Sequence, residues 1–270
     1  MAHETGRVVL VTGAAGGIGA AITRALVGAG HAVAAVDRDA AALERLEASK
    51  SIHPFLIDLA TESACLEAVA STVARFGRLD AVINNAGIGP SSLRPDAEAN
   101  LPRIEELSAE VWDRFFAINV RAPMLLTRAA LPHMRAGGFG RVINNTTSFR
   151  TMLRVLPYGA TKSALESMSA IWANEFDPDG ITVNVLIPGG PTDTAFIADG
   201  AGWDRAKMLR PDIMGPPACW LISDDAAHYT GQRIIAARWD PGLPGMQAAA
   251  KAGRAIGWPE LGADAVWLQG

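Results

Sequence analysis

The sequence of 270 residues is poor in cysteine and in charge, and it lacks long hydrophobic runs. Its two cysteines, Cys65 and Cys219, have no metal-ligand spacing and form no disulfide framework. A zinc module and a disulfide-stabilised secreted domain are therefore not expected, and we predict no metal site. A membrane protein is not expected either, since no apolar run approaches the ~18 residues of a membrane span.

Charged residues make up only 19% of the chain, and the net charge is −4. Binding to nucleic acid or to an anionic membrane needs clustered Lys and Arg, so neither partner is expected. The hydrophobic share of 49% indicates a globular protein with ample core. A strand-like run at residues 8–11 leaves no room for a signal peptide, and we expect a cytoplasmic protein.

Short β-branched runs alternate along the chain with amphipathic stretches of helical periodicity. This alternation predicts an α/β fold, a doubly wound parallel sheet with helices on both faces. Strands are predicted at residues 8–11, 32–36, 54–57, 81–83, 142–144, 182–187 and 234–236. Helices are predicted at residues 18–27, 40–48, 62–76, 110–134, 158–176 and 216–222. Because no repeat or linker interrupts the pattern, residues 1–240 are expected to form one domain.

Two stretches do not follow this alternation. Residues 90–101 form a polar, proline-containing insertion, and residues 241–270 form a tail that contains Trp258 and Trp267. Large aromatic side chains in a tail indicate packing. We therefore expect the tail to pack on the body of the protein or on a neighbouring subunit.

A glycine-rich loop follows the first predicted strand and begins the first predicted helix. Its candidate cofactor-binding residues are Gly13, Gly16, Gly17, Ile18 and Gly19. Glycine permits a tight turn and close backbone approach, and the N–H groups at a helix N-terminus bind a pyrophosphate. The spacing is GxxxGxG instead of the GxGxxG dinucleotide pattern, so a plain strand–helix turn is the alternative.

Acidic residues follow the next two predicted strands. Asp37 stands 18 residues after Gly19, where a carboxylate holds the adenosine ribose of NAD and repels the extra phosphate of NADP. Arg38 can accept that phosphate, so NAD is favoured and NADP stays possible. Asp58, followed by Leu59, is a candidate for the adenine amino group, with a helix N-cap as the alternative.

Tyr158 and Lys162 are four residues apart on a predicted helix. Side chains at this spacing share a helix face, so the phenol and the ammonium can converge. A neighbouring cation favours the phenolate and lowers the pKa of a tyrosine, which makes Tyr158 a candidate general acid/base. The alternative is an exposed pair on an ordinary helix.

These motifs occur in one order with Asn84-Asn85-Ala86-Gly87, Asn119 and Pro188-Gly189. With them the chain resembles the short-chain dehydrogenase/reductase family over residues 5–238. The resemblance implies a single Rossmann domain whose parallel strands have the order 3-2-1-4-5-6-7. It also implies a nicotinamide cofactor, hydride exchange between an alcohol and a carbonyl compound, and a homodimer or homotetramer.

The same resemblance implies a role for each motif. Tyr158 is the acid/base, and Lys162 binds the nicotinamide ribose and tunes Tyr158. Asn119 holds a water in a proton relay from Lys162 to solvent. The other cofactor contacts implied by the family are Asn85, Ala86, Gly87, Pro188 and Gly189.

The end of the fifth predicted strand departs from the family pattern. The family places a serine hydroxyl there, which orients the substrate oxygen. The register of this chain puts Thr147 at that position, with Ser148 one residue away, and both stay candidates. The alternative is that these polar residues merely end a strand.

Two further departures concern the cofactor loop and the end of the chain. Pro191 has no N–H to give to the nicotinamide carboxamide, so that donor is expected to shift to Thr192. Thr194 is a candidate for the pyrophosphate. The long tail replaces the usual family ending, so tetramer contacts through that end are not carried over.

The sequence thus predicts an NAD-dependent enzyme that interconverts small-molecule alcohols and carbonyl compounds. The substrate pocket is expected at residues 150–156 and 195–214. The alternatives are an NADP-dependent carbonyl reductase, an isomerase or dehydratase with a tightly held cofactor, and a non-catalytic nucleotide-binding protein. Subunits are expected to pair through helices 110–134 and 158–176, whose apolar candidates Phe115, Leu126, Met168 and Trp172 could equally face the sheet.

Overall fold

The computed structural model of the chain describes residues 6–46 and 50–262. Within these ranges the strands are β1 Val8–Thr12, β2 Ala32–Asp37, β3 Ile52–Leu56, β4 Ala81–Asn84, β5 Gly140–Asn144, β6 Ile181–Ile187, β7 Gln232–Ile235 and β8 Gly253–Ala255. They form one sheet in the order β3-β2-β1-β4-β5-β6-β7-β8. Strands β1 to β7 run parallel, and β8 pairs antiparallel with β7. The predicted α/β fold and strand order are confirmed, and β8 is an addition that the sequence did not predict.

Helices cover both faces of the sheet. In the described residues they are α1 Gly17–Gly28, α2 Ala40–Arg45, α3 Glu62–Phe76, α4 Ala109–Phe116, α5 Ala122–Gly137, α6 Phe149–Met152, α7 Tyr158–Glu175, α8 Gly215–Ile222, α9 Gly245–Ala252 and α10 Pro259–Gly262. Alternate strand residues face opposite sides of a sheet. Accordingly Val9 and Val11 pack in one core cluster with α1 and α8, and Leu10 packs in a second cluster with α3 and α5. None of these helices is both long and apolar enough to cross a membrane.

Two predicted helices differ from the observed ones. The helix predicted at 110–134 is formed by α4, a π-helical turn at Ala117–Arg121, and α5. The helix predicted at 40–48 ends at Arg45, and Ala48 lies outside the described residues. Phe115 and Leu126 are fully buried in the core of the chain itself, so they are not available to a subunit interface.

The described part of the tail packs on the body of the same chain. Ala249 and Ala252 of α9 are fully buried in the cluster that contains α1. The strand β8 covers the edge of β7, and the ring of Trp258 lies 5.6 Å from that of Phe149. Trp267 lies outside the described residues.

Candidate active site

The glycine-rich loop connects the end of β1 to the start of α1. Gly13 and Gly17 have φ angles of +60° and +46°, in the left-handed region that favours glycine. A Cβ on Gly19 would lie 1.9 Å from the Gly13 carbonyl oxygen, so the helix start packs directly on the loop. A Cβ on Gly16 would meet nothing within 4 Å. Gly16 therefore faces open space at the N-terminus of α1, beside the half-buried Ile18, and the loop fits a pyrophosphate.

The carboxylate of Asp37 faces the same loop. Its Oδ2 accepts a hydrogen bond from the Ala15 N–H at 3.0 Å, and its Oδ1 accepts one from the Asp39 N–H at 3.1 Å. Arg38 is exposed beside it. A negative charge is thus fixed beside the glycine loop at the end of β2, where the sequence predicts the adenosine ribose.

Asp58 and Leu59 follow β3 and have different environments. Asp58 is exposed and accepts a hydrogen bond from the Ala60 N–H at 3.1 Å, whereas Leu59 is buried. The N-cap of α3 is Thr61, whose side chain accepts a hydrogen bond from the Ala64 N–H. The helix-cap alternative for Asp58 is therefore wrong.

The end of β4 is locked onto the glycine loop through Thr12. The Thr12 hydroxyl oxygen accepts hydrogen bonds from the Asn85 N–H at 3.0 Å and the Ala86 N–H at 2.9 Å. The Asn85 side chain donates to the carbonyl oxygens of Thr12 and Gly13 at 3.0 and 3.2 Å. Residues 85–87 thus form a second wall beside the loop.

Asn119 lies in the π-helical turn between α4 and α5. Its Oδ1 accepts a hydrogen bond from the Ile88 N–H at 2.9 Å, and its Nδ2 donates to the Ile88 carbonyl oxygen at 2.9 Å and to Thr161 Oγ1 at 3.0 Å. Such π-helical turns are frequent at functional sites. A Cβ on Gly87 would lie 3.2 Å from Asn119 Oδ1 and 3.6 Å from Lys162 Nζ, so both side chains approach one point.

Tyr158, Lys162 and Thr147 converge where β5 ends and α7 begins. Lys162 Nζ lies 5.7 Å from the centroid of the Tyr158 ring and donates to the Asn145 carbonyl oxygen at 2.7 Å. The Thr147 side chain interacts with the Tyr158 phenol closely enough to lower the pKa of that group. Ser148 instead caps α6, because its Oγ accepts a hydrogen bond from the Thr151 N–H at 3.2 Å.

Burial controls the charge states of Tyr158 and Lys162. It raises the pKa of the Tyr158 phenol above its ordinary value, and the Thr147 side chain offsets this rise only in part. Burial also lowers the pKa of the Lys162 amine to about 8. Desolvation disfavours both charged forms, and in the chain alone it raises the pKa of Tyr158. The lowering of that pKa by Lys162 together with the positive nicotinamide ring stays a prediction.

The loop after β6 places two threonines near the predicted cofactor site. A Cβ on Gly17 would lie 2.7 Å from Thr194 Cγ2, so Thr194 stands directly over the glycine loop. A short parallel bridge joins Thr192 to Leu209 through the Pro191 carbonyl oxygen and the Asp193 N–H. These bonds do not use the Thr192 N–H. Pro188 and Gly189 begin this loop, and Gly189 has a φ of +102°.

A family model described as short chain dehydrogenase matches residues 7–201 of the chain. The chain belongs to this family. It is therefore an NAD(P)-dependent oxidoreductase, and the family resemblance predicted from its motifs is confirmed.

Relatives of this short-chain dehydrogenase have named activities. It is 32% identical over 247 residues to an L-fucose dehydrogenase of Bos taurus, and the match covers 85% of this chain and 87% of that protein. It is 33% identical over 246 residues to a D-threitol dehydrogenase of Mycolicibacterium smegmatis, and the match covers 85% of this chain and 91% of that protein.

Solved structures of related proteins hold either form of the cofactor. A 3-ketoacyl-(acyl-carrier-protein) reductase from Brucella melitensis in complex with NADH has a TM-score of 0.72 and 28% identity, and the match covers 85% of this chain and 96% of that one. A blue fluorescent protein from a metagenomic library in complex with NADPH has a TM-score of 0.72 and 29% identity, with coverages of 86% and 96%.

Two charged residues of this short-chain dehydrogenase lie near Thr147 and were not predicted from the sequence. Arg233 is the second residue of β7, and Glu166 follows Lys162 by four residues on α7. Both are buried. An arginine directly before the apolar strand predicted at 234–236 and an acid on the Lys162 face of the helix were the available signals. Phe196, in the predicted pocket segment, has its ring 5.7 Å from that of Tyr158.

Proposed function

We propose that this short-chain dehydrogenase interconverts an alcohol and a carbonyl compound by hydride transfer, with NAD as the cofactor. The observation that carries the proposal is geometric: the Lys162 amine lies 5.7 Å from the centroid of the Tyr158 ring and, with Asn119, beside Gly87. The Thr147 side chain also lies near enough to Tyr158 to lower the pKa of its phenol. A proton donor, a hydroxyl that can orient an oxygen, and a cation are the groups that alcohol–carbonyl exchange needs.

The cofactor would be held by the loops at the carboxyl ends of the strands. When bound, the oxidised nicotinamide supplies a hydride acceptor and a positive charge, and the reduced nicotinamide supplies the hydride. The glycine-rich loop and Thr194 would hold the pyrophosphate, and Asp37 the adenosine ribose. The adenine would contact Asp58 and Leu59. The nicotinamide end would contact residues 85–87, Lys162, Pro188, Gly189 and the Thr192 N–H.

The chain's own residues handle the proton. A tyrosine with its ordinary pKa of about 10 is protonated at neutral pH, and burial raises the pKa of Tyr158 further. Its phenol can therefore donate a proton to the oxygen of a carbonyl substrate. The Thr147 hydroxyl holds and polarises that oxygen. We assign Asn119 and Lys162 to the path by which Tyr158 recovers its proton from solvent. Alcohol oxidation needs the phenolate, so its rate should rise with pH.

The substrate class is proposed from the relatives. L-fucose and D-threitol, named in two of them, are both polyhydroxylated, which supports a sugar or alditol as the alcohol. The test is a panel of L-fucose, D-threitol, simple secondary alcohols, ketones and aldehydes, each followed by NADH absorbance. Turnover of at least one compound is expected. A protein that binds NADH but turns over no compound would instead support the non-catalytic nucleotide-binding alternative.

Cofactor choice follows from Asp37. Its carboxylate should repel the phosphate of NADPH, so NADH should bind about tenfold tighter or more, a difference of ~1.4 kcal/mol. Asp37→Ala should narrow that gap, because the repulsion is lost and the exposed Arg38 remains. The measurement is the quenching of tryptophan fluorescence by each cofactor. Equal affinities in the wild type would favour the NADP alternative.

We also propose the wider setting of the enzyme. Residues 1–240 would form the catalytic domain, and residues 241–270 an accessory tail. Cys65 and Cys219 are free thiols, which supports a cytoplasmic location. A homodimer or homotetramer is proposed from the family.

A further inference from the structure

A buried ion pair lies beside Thr147 at the carboxyl end of the sheet. Arg233 of β7 is 3% exposed, and Glu166 of α7 is 0% exposed. Arg233 Nη1 lies 2.5 Å from Glu166 Oε2. Glu166 follows Lys162 by four residues, so the two side chains leave the same face of α7. The pair therefore stands one helical turn from Lys162.

The guanidinium of Arg233 holds two consecutive residues at the end of β5. Its Nη1 donates to Thr146 Oγ1 at 3.1 Å, and its Nη2 donates to the carbonyl oxygen of Thr147. The Thr146 hydroxyl in turn donates to Glu166 Oε2 at 2.8 Å. These bonds fix the backbone that carries the Thr147 side chain, and that side chain interacts with Tyr158 and lowers its pKa.

The tail closes this network from the other side. The Gly257 N–H donates to Glu166 Oε1 at 3.3 Å, so both carboxylate oxygens are hydrogen-bonded. The Arg233 guanidinium lies 4.4 Å from the centroid of the Phe149 ring, and that ring packs against Trp258. Arg233 is thus held by acceptors at its edge and by an aromatic ring on its face.

Stability alone does not account for this pair. Burying two charges costs about as much as their attraction returns, and well-packed apolar side chains are often at least as stable. The neighbouring strand position is apolar, since Val185 lies opposite Arg233 in the sheet. A planar guanidinium, in contrast, binds several acceptors in a fixed geometry. The pair therefore suits the positioning of Thr146 and Thr147.

We propose that Arg233 and Glu166 are positioning residues that hold Thr147 against Tyr158, and that tail residues 253–258 complete their enclosure. The proposal rests on the proposed function, which gives Thr147 and Tyr158 their roles. Arg233 and Glu166 act through Thr147 and take no proton or hydride themselves.

The first test is a mutant cycle on turnover. Arg233→Met/Glu166→Gln removes both charges, while the glutamine amide can still bond Thr146 and Gly257. This enzyme should melt close to the wild type and bind NADH normally, yet its kcat should fall by about tenfold to a hundredfold. In enzyme that already carries Thr147→Val, Arg233→Met/Glu166→Gln should lower kcat little further, because both changes act through the Thr147 hydroxyl.

Two further variants keep this test decisive. Arg233→Lys keeps the charge next to Glu166 but cannot bond both Glu166 and the Thr147 carbonyl in the same way, so it should fold and still lose turnover. Arg141→Met is the matched control, because Arg141 is also 3% exposed but lies at the amino end of β5. It should leave kcat unchanged whatever it does to the melting temperature.

The second test needs no substrate. The chain has two tyrosines, so Tyr229→Phe enzyme labelled with ¹³Cζ-tyrosine reports on Tyr158 alone. Thr147→Val should shift this resonance, Arg233→Met/Glu166→Gln should shift it in the same direction, and Arg141→Met should not. If no compound of the panel is turned over, the proposed function fails, while this resonance still tests the positioning.

The outcomes that overturn the proposal are specific. Arg233→Met/Glu166→Gln enzyme with kcat within twofold of the wild type contradicts it. The proposal is also contradicted if the combined variant loses kcat by the product of the two separate factors, that of Arg233→Met/Glu166→Gln and that of Thr147→Val. A Tyr158 resonance that stays at its wild-type position in Arg233→Met/Glu166→Gln contradicts it as well.

Discussion

Thr147 and Ser148 are adjacent in the chain, but their hydroxyl groups have different partners. The Thr147 side chain interacts with Tyr158 and lowers its pKa, whereas Ser148 Oγ lies 2.9 Å from Thr151 Oγ1 and caps α6. A helix cap stabilises the fold by about 1 kcal/mol and does not require an approach to the substrate. At the scale of single residues, we therefore propose that Thr147, and not Ser148, orients the substrate oxygen.

Thr147→Val should lower kcat by about a hundredfold, as the loss of a donor to a reacting oxygen does. Ser148→Ala is the matched variant, and it should lower the melting temperature slightly with little effect on kcat. Steady-state kinetics on a substrate from the panel measures both. Equal and small effects of the two substitutions on kcat would contradict the assignment.

The sequence could name these residues but not their charge states. Asp37, Tyr158 and Lys162 are recognisable because local spacing places them after a strand or on one helix face. The raised pKa of Tyr158 and the lowered pKa of Lys162 arise from burial. Burial depends on the assembled fold, so these shifts could not be predicted from the spacing of two residues.

At the scale of elements, the glycine-rich loop combines a fixed turn with an open face. Gly17 is covered by Thr194, and Gly19 packs on Gly13, whereas a side chain on Gly16 would point into open space. Gly16 also has an ordinary extended backbone, with φ at −124°. The loop can therefore accept a methyl group at Gly16 without strain in the chain alone.

Gly16→Ala should weaken NADH binding by about tenfold or more, because the methyl group occupies the space proposed for the pyrophosphate. Its melting temperature should stay close to that of the wild type. Gly28→Ala, at the other end of α1 and also in open space, is the control for both measurements. Unchanged NADH affinity in Gly16→Ala would place the pyrophosphate elsewhere.

Several elements could not be predicted from local pattern. The strand β8 is only three residues long, and its sequence, Gly253-Arg254-Ala255, has no strand signature. It forms because the edge of β7 offers free hydrogen-bonding groups. The strands β1 and β6 were predictable, since burial on both faces requires an uninterrupted apolar run.

At the scale of the whole molecule, the helices α4 and α7 carry exposed apolar side chains. Trp112 is 39% exposed and Ile171 57% exposed, whereas Phe115 is buried within the chain. In the described part of the chain, β8 of the tail pairs with β7 and forms the edge of the sheet on that side. The exposed apolar positions that remain on α4 and α7 favour an interface between copies through these helices.

We predict a dimer or tetramer at micromolar concentration. Trp112→Glu/Ile171→Glu should shift it to smaller species, because charges on the contact face oppose association. Light scattering coupled to size-exclusion chromatography measures both proteins. Leu153→Glu, at an exposed apolar residue after α6, is the control that should not change the mass. A monomeric wild type would contradict the prediction.

The most direct test of the account is the turnover of Tyr158→Phe. The substitution keeps the ring and its packing and removes the phenolic proton. The kcat should fall by about two to four orders of magnitude, the usual contribution of a general acid/base, while NADH affinity stays the same. Tyr229→Phe, at the one other tyrosine of the chain, should keep its kcat. Near-normal turnover by Tyr158→Phe would show that Tyr158 is not the acid/base, and the proposed mechanism would be wrong.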